Sequence, residues 1–207
     1  APVERPPVPP GETPGREIDD FLAEARKAKG TAPRPAASRE ALLRRVHMDL
    51  TGLAPTPDER TAFLADNAPD AYEKLVDRLL ASPLHAERWA RHWMDIWRYS
   101  DWAGWNDGKQ IRDSQPHIWR WRDWIVEAIL ADTGYDRMLT DMLAADERAP
   151  EDPAALRATG FLARNYKMLS REQWLEDTVK HTGMAFLGLT VGCCKCHDHM
   201  TDPLKQT

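Results

Sequence analysis

The sequence predicts an all-α fold, a single irregular domain of about eight helices. Apolar residues recur three or four positions apart through most of the 207 residues, which is the period of an amphipathic helix. Sequences typical of helix starts accompany this pattern, and Thr56-Pro57-Asp58-Glu59 is a capping box with proline at the first helical position. Nothing in the pattern requires a β-sheet.

Composition excludes several classes of protein. Hydrophobic residues make up 42% of the chain and charged residues 29%, as in soluble globular proteins. The formal net charge of -5 argues against nucleic acid as a partner, because such a partner requires clustered lysine and arginine. No apolar run approaches the roughly 18 residues of a membrane-spanning helix, so no transmembrane segment is expected.

The chain is expected to begin with an extended, proline-rich arm over residues 1–15. Six prolines and few large apolar residues in this stretch cannot offset the entropy that is lost on ordering. The helical domain is expected to fill residues 16–207. Its helices are predicted near residues 16–29, 38–51, 56–65, 72–80, 84–99, 116–130, 136–145, 154–164 and 170–187.

Eight of the nine tryptophans lie between residues 83 and 130. Trp89, Trp93 and Trp97 are spaced four residues apart, so they form one stripe on the helix predicted over residues 84–99. Large aromatic side chains in such a stripe are typical of a core. We expect these tryptophans to lie in the core or to form the wall around a bulky cofactor.

The loop predicted over residues 100–114 carries two further tryptophans, Trp102 and Trp105, among asparagine, aspartate and glutamine residues. Tryptophans in a polar loop are typical of a platform on which sugar rings stack, and such loops also fold back onto a core. Both alternatives remain open, and the first makes a polysaccharide a candidate partner.

The most specific pattern in the chain is Cys193-Cys194-Lys195-Cys196-His197. Its C-x-x-C-H spacing is the attachment signature of haem c, in which two thiols form thioethers to the porphyrin and the histidine ligates the iron. Zinc or an iron–sulfur cluster would require further thiolates, and no cysteine lies outside this cluster. A thioredoxin-like site would require a strand before the motif. The pattern therefore favours one covalent haem c per chain, held by Cys193, Cys196 and His197.

The position of the motif restricts the sixth iron ligand. Only ten residues follow His197, whereas small cytochromes c carry the motif near the N-terminus, so the ordinary cytochrome c fold is excluded. The distal ligand must come from upstream. His92 is the first candidate, with Trp89 and Trp93 beside the haem, and the weaker candidates are His47 and His181.

Each of these upstream histidines could instead be a core residue bonded to a carboxylate. A five-coordinate iron is a further alternative, and it would favour ligand binding or catalysis over electron transfer. His199 lies too close to His197 to reach the opposite face of the ring. We expect it to face a propionate, a carboxylate or a cation.

Four stretches of the chain point to one family. They are RRVHMDLTGLAPTP at residues 44–57, ERWARHWMD at 87–95, WRWRDWI at 119–125 and FLGLTVGC at 186–193, the last leading into CHDH at 196–199. Over residues 18–206 the chain resembles the planctomycete-type cytochrome domain, a family found in large secreted proteins. The resemblance implies a haem-binding domain whose activity is unsettled. Two departures are the third thiol, Cys194, and Met200, where lysine is common.

Two functions from different classes follow. In the first, the domain is a c-type cytochrome module that passes electrons to a redox partner protein or to a downstream domain of the same polypeptide. In the second, it is a haem-dependent enzyme or binding module that presents a carbohydrate polymer to an open iron face through Trp102 and Trp105. A purely structural metal domain is the third alternative.

Covalent haem also predicts a location. Thioethers to haem are made outside the cytoplasmic membrane, so the protein is expected to be periplasmic or secreted. The chain starts with Ala1-Pro2-Val3, which we interpret as a mature terminus after a removed leader. Because the chain stops just past the motif, it is expected to be part of a longer protein.

Overall fold

The computed structural model describes residues 17–101, 105–106, 111–112, 117–165 and 170–206. These residues form an all-α fold, which confirms the predicted fold class. The α-helices are α1 Glu17–Lys29, α2 Arg39–Thr51, α3 Pro57–Ala65, α4 Ala71–Leu80, α5 Pro83–Ile96, α6 Trp119–Leu130, α7 Tyr135–Arg148, α8 Pro153–Leu156, α9 Gly160–Ala163 and α10 Arg171–Thr182. None of the described helices combines the length and hydrophobicity that a membrane-spanning helix requires.

Two further kinds of element complete the described chain. A π-helical segment, Gly183–Leu187, continues α10, and 3₁₀ turns cover Arg157–Thr159 and Val191–Lys195. Within the predicted loop, strand β1 Trp105–Asn106 pairs antiparallel with β2 Ile111–Arg112. Strands of two residues are too short to produce a readable alternation in the sequence, so the loop prediction missed them.

The helix starts follow from local side-chain chemistry. At α3, the Glu59 amide donates to Thr56 Oγ1 at 3.3 Å while Glu59 Oε2 accepts the Thr56 amide at 2.9 Å. Both halves of the predicted capping box are therefore present. Ser82 caps α5 by accepting from the Leu84 amide at 3.3 Å. Ser170 caps α10 by accepting from the Gln173 amide at 3.2 Å.

The chain divides into two units, residues 1–42 and residues 43–207. In the first unit, the large apolar side chains of α1 that the sequence pattern placed on one face, Ile18, Phe21 and Leu22, are exposed. The predicted arm over residues 1–15 lies outside the described residues. The boundary between the arm and the helical domain therefore stays a prediction.

The second unit contains two hydrophobic clusters. The larger cluster joins α5, α6, α7 and the turns before α9, with Trp97 and Trp121 almost completely buried at its centre. Trp97 stacks on Trp93 with ring centroids 5.1 Å apart, and Trp121 meets Phe161 edge-on at 6.0 Å. The smaller cluster joins α2, α3 and α4 through Leu43, Val46, Phe63, Leu75 and Leu79.

The exposure of the tryptophans in the α5 stripe decreases along the helix. Trp89 is 39% exposed, Trp93 is half-buried and Trp97 is 1% exposed. The stripe is therefore part of the core at its C-terminal end, as the sequence predicted, and part of the surface at its N-terminal end.

The last two predicted helices are interrupted. The helix expected over residues 154–164 is divided by a 3₁₀ turn between α8 and α9. The helix expected over residues 170–187 widens into the π-helical segment and ends at Gly188, whose φ is 66°. This widening lets the Leu189 amide donate to the Gly183 carbonyl at 3.1 Å, so the chain turns back on α10 at this point.

Gly160 allows α9 to approach α6 closely. A Cβ atom on Gly160 would lie 2.3 Å from Trp121 Cβ and 2.6 Å from its Cγ. We expect Gly160→Ala to lower the free energy of unfolding by about 1–3 kcal/mol, since a buried tryptophan has little room to shift. Urea denaturation followed by tryptophan fluorescence measures this change.

Gly134→Ala is the matched control for this prediction. Its Cβ would meet only the end of the Asp136 side chain, which can rotate away. The expected loss is below about 1 kcal/mol. Equal losses in the two variants would contradict the packing explanation.

Candidate functional site

The cysteine motif lies along one face of α10. After Gly188 the chain runs back towards the middle of the helix, and the 3₁₀ turn Val191–Lys195 packs on side chains that are spaced three or four residues apart. The pairs in contact are Val191 with Gly183, Gly192 with Lys180, and Lys195 with Glu176. The motif is therefore fixed to the helix that immediately precedes it.

The groups that the sequence assigned to haem are accessible. Cys193 and Cys196 are free and exposed, and the additional thiol of Cys194 is half-buried. His197 is exposed, and its Nδ1 lies 2.7 Å from the Asp198 carbonyl oxygen. Because a carbonyl can only accept, neutral His197 carries its proton on Nδ1. Its Nε2 lone pair is then available for a metal.

An apolar groove of about 890 Å³ lies beside the motif. Its volume is within the range of ligand and cofactor sites, about 300–1,000 Å³. Val179 is 64% exposed in the groove, and Leu175 and Met184 are exposed as well. The lining includes Leu175, Val179, Met184, Val191, Cys193 and Cys194 together with the charged residues Glu176, Asp177, Lys180 and Lys195, whereas Cys196 and His197 are not part of it. Large exposed apolar side chains are thus concentrated next to the thiols.

This donor set fits a haem c. Two exposed thiols separated by two residues can each form a thioether, His197 Nε2 can serve as an axial ligand, and the groove offers an apolar wall for a macrocycle. Among the described residues, no three histidine, cysteine, aspartate or glutamate side chains converge to hold a metal ion. A haem iron needs only one or two protein ligands, because the porphyrin supplies the others.

His199 joins the two ends of the motif loop. Its Nδ1 accepts the amides of Asp202 at 3.0 Å and Thr201 at 3.3 Å. Amides can only donate, so neutral His199 carries its proton on Nε2, which donates to Thr190 Oγ1 at 2.9 Å. His199 therefore connects the residue before the 3₁₀ turn with the residues after the motif. The Asp202 carboxylate, 3.4 Å from Nδ1, is the carboxylate that His199 faces.

Asp198 holds the chain that follows the motif. Its carboxylate accepts from Lys205 Nζ at 2.7 Å and from the Gln206 amide at 3.0 Å, and these two bonds lower the pKa of Asp198. The Gln206 side chain reaches the Lys195 carbonyl oxygen at 3.4 Å. Asp198 and His199 thus both close the loop that presents His197.

His92, Trp89 and Trp93 lie on α5 and do not line the groove. His92 is exposed, and its ring meets the edge of Trp89 with centroids 5.6 Å apart. Trp93 packs between Trp97 and Tyr135. The assignment of His92 as the distal ligand stays a prediction, as do the roles of the two tryptophans.

The weaker distal candidates are buried. His47 Nδ1 donates to the Leu43 carbonyl at 3.0 Å, and its Nε2 lies 3.6 Å from Glu59 Oε1. His47 is therefore a core histidine near a carboxylate, although its Nε2 makes no hydrogen bond among the described residues. His181 lies next to Lys180 on α10, about 100° further around the helix, and its side chain is buried.

Trp102 lies outside the described residues. For Trp105 only the backbone, in β1, is described. The proposed sugar platform therefore has no structural counterpart among the described side chains.

Sequence reasoning missed the apolar wall of the groove. Leu175 and Val179 lie in the helix predicted over residues 170–187, and both side chains are exposed. The sequence did contain a signal for this exposed wall, because α10 and its π-helical extension carry apolar residues on two faces and one face is enough for the core. On one face, Ala185 and Phe186 pack against the larger hydrophobic cluster and Trp174 donates to the Leu162 carbonyl. Leu175 and Val179 lie on the other face.

Replacing His199 should loosen the motif loop. In His199→Ala the amides of Thr201 and Asp202 lose their acceptor, and we expect their hydrogen exchange to accelerate about tenfold, which corresponds to one lost hydrogen bond. Exchange measured by NMR on the haem-free chain tests this. The exposed His92 gives the control, since His92→Ala should leave both rates unchanged. Unchanged rates in His199→Ala would refute the clamp.

Comparison with known proteins places the chain in a family. A family model described as PSCyt2, protein of unknown function (DUF1549), matches residues 17–207. No curated protein and no solved structure matches the chain. The match covers α1 to the end of the motif loop, and it includes every described element. The chain therefore belongs to the PSCyt2 (DUF1549) family, a planctomycete-type domain family of unknown function.

Proposed function

We propose that this domain is a c-type cytochrome module, which carries one covalent haem c and transfers electrons outside the cytoplasm. One observation carries the proposal: Cys193 lines an apolar groove of about 890 Å³, and the exposed Cys196 and His197, with its free Nε2, follow within four residues. Thiols alone would be compatible with several metal or redox sites. The apolar groove beside them favours a large planar cofactor.

Each part of the chain has a defined task in this proposal. Cys193 and Cys196 would anchor the haem, and His197 would ligate its iron. When bound, haem supplies a centre that gains or loses one electron. Leu175, Val179 and other apolar side chains of the groove would exclude water from one side of the cofactor, which is a main influence on its potential.

The hydrogen bonds around the motif hold His197 in place. The Asp198 carbonyl fixes its tautomer, and the His199 and Asp198 side chains tie down the flanking chain. Such supporting contacts orient a metal ligand before the metal binds. Because the motif is at the surface, a redox partner protein or another domain of the same polypeptide could approach it. The attachment chemistry implies a periplasmic or secreted location.

Serine substitutions test the attachment. After co-expression with a cytochrome c maturation system, the wild-type chain should retain haem on a denaturing gel and give a thioether-type pyridine haemochrome spectrum. Cys193→Ser or Cys196→Ser should lose one thioether and alter that spectrum, and the double variant should lose covalent haem. Cys194→Ser is the matched control and should resemble the wild type. A wild-type chain without covalent haem would overturn the proposed function.

A charged residue introduced into the wall of the groove tests whether the groove holds the haem. Val179→Asp places a carboxylate against the proposed cofactor, where burial without a partner is unfavourable, and it should lower the haem-to-protein ratio several-fold. Ile96→Asp provides the control, since Ile96 is similarly exposed on α5, away from the groove. Equal haem contents in the two variants would show that the groove does not hold the haem.

A further inference from the structure

A second site lies at the C-terminal end of α5, where Arg98 has a φ of 61°. The Tyr99 amide donates to the Met94 carbonyl at 2.8 Å and the Arg98 amide to the Asp95 carbonyl at 3.3 Å. This is the Schellman arrangement, in which the left-handed position is usually glycine. An arginine at this position is strained, and strain of this kind is concentrated at functional sites.

The side chain of Arg98 meets a second arginine. Arg98 Nη1 donates to the buried Asn165 Oδ1 at 3.2 Å, and Arg164 Nε donates to the Arg98 carbonyl oxygen at 3.1 Å. Both arginines are half-buried, and neither forms an ion pair with a described carboxylate. Burial lowers the pKa of both guanidinium groups, and Arg164 lowers that of Arg98 further, against a partial offset from Asp177.

His181, on α10, is close enough to Arg98 for the arginine charge to act on its imidazole. It is 8% exposed, and its Nδ1 has no hydrogen-bond partner in the described chain. Burial and the nearby charge of Arg98, with smaller contributions from Lys180 and Arg164, lower the pKa of His181 to about 4, against an opposing effect of Asp177. A buried polar atom without a partner is costly and calls for an explanation.

Arg98 and Arg164 each donate to one neutral oxygen, and no described carboxylate forms an ion pair with either of them. The charge of Asp177 offsets that of Arg98 only in part. Two half-buried cations next to each other and next to an unsatisfied imidazole are unfavourable unless an anion compensates them. The planar guanidinium group binds carboxylate and phosphate oxygens in pairs. Asn165, itself anchored by donating to the Phe161 carbonyl at 3.4 Å, keeps Arg98 oriented.

We propose that Arg98, Arg164 and His181 form a binding site for an oxyanion, a carboxylate or a phosphate. The carboxylate could come from a haem propionate, and the alternative source is a free oxyanion such as phosphate. Only the propionate source depends on the proposed cytochrome function. The site itself depends on the geometry around Arg98.

Inorganic phosphate is the probe. The full chain, in haem-free and haem-loaded forms, is titrated with phosphate by calorimetry at constant ionic strength, with chloride as the reference anion. The haem-free wild type should bind phosphate, and Arg164→Gln should weaken binding about tenfold or more, since a charged hydrogen-bond donor is lost. Arg157→Gln is the control, because Arg157 already pairs with Glu127 outside the cluster.

The two forms distinguish the sources of the anion. Phosphate binding that disappears in the haem-loaded chain would identify a propionate as the resident anion, whereas binding that persists would identify a free oxyanion. The proposal is overturned if phosphate acts no differently from chloride on the haem-free chain, or if Arg157→Gln weakens binding as much as Arg164→Gln.

The haem-free chain and the haem-loaded chain each test the oxyanion site separately. If the haem-free chain does not fold, the loaded chain must either bind phosphate or show a lower midpoint potential in Arg164→Gln than in Arg157→Gln, because removing a nearby positive charge favours ferric iron. The site is refuted if the loaded chain neither binds phosphate nor shows this lower potential. If the chain never incorporates haem, the cytochrome function fails while the phosphate titration still decides the oxyanion site.

Discussion

The contact between Gly183 and Val191 is the constraint on which the candidate site depends. A Cβ atom on Gly183 would lie 3.0 Å from the Val191 side chain, so a larger residue here would force Val191 to shift where the chain turns back on α10. The π-helical widening at the same place redirects the backbone. One helix consequently serves two purposes. Trp174 and Phe186 attach it to the interior, through the Leu162 carbonyl and the Phe161 ring, while its other side carries the motif.

The way in which the chain turns back on α10 also explains why apolar side chains are exposed in the groove. The returning chain covers the Glu176 and Lys180 side of α10 and leaves Leu175 and Val179 uncovered at its edge. A fully buried side chain of this size contributes about 1.5–3 kcal/mol. A ligand that covers this wall would therefore stabilise the local fold as well as fill the groove. Water in the groove leaves the apolar side chains solvated and does not stabilise the fold in this way.

Local features of this fold could be predicted from the sequence, and long-range ones could not. The helices and the Thr56 capping box are set by residues within one or two turns, so spacing identified them. The contact between Arg98 and Arg164 joins residues 66 positions apart, and the strained backbone at Arg98 leaves no trace in a single sequence. His92 was preferred because it lies in the tryptophan-bearing helix and in a stretch that matches the family, and its role as distal ligand stays a prediction. The motif itself was readable because covalent attachment requires a fixed local spacing.

Fold class says little about function here, since an all-α domain can carry many chemistries. The choice between haem and its alternatives depends on three features of the site that must be explained together. A zinc site would account for the thiols but not for the exposed apolar wall. A thiol–disulfide site requires a helix that opens on the motif, and the described residues from Cys196 to Gln206 contain none. The proposed haem would account for the thiol spacing, the free Nε2 of His197 and the neighbouring groove together.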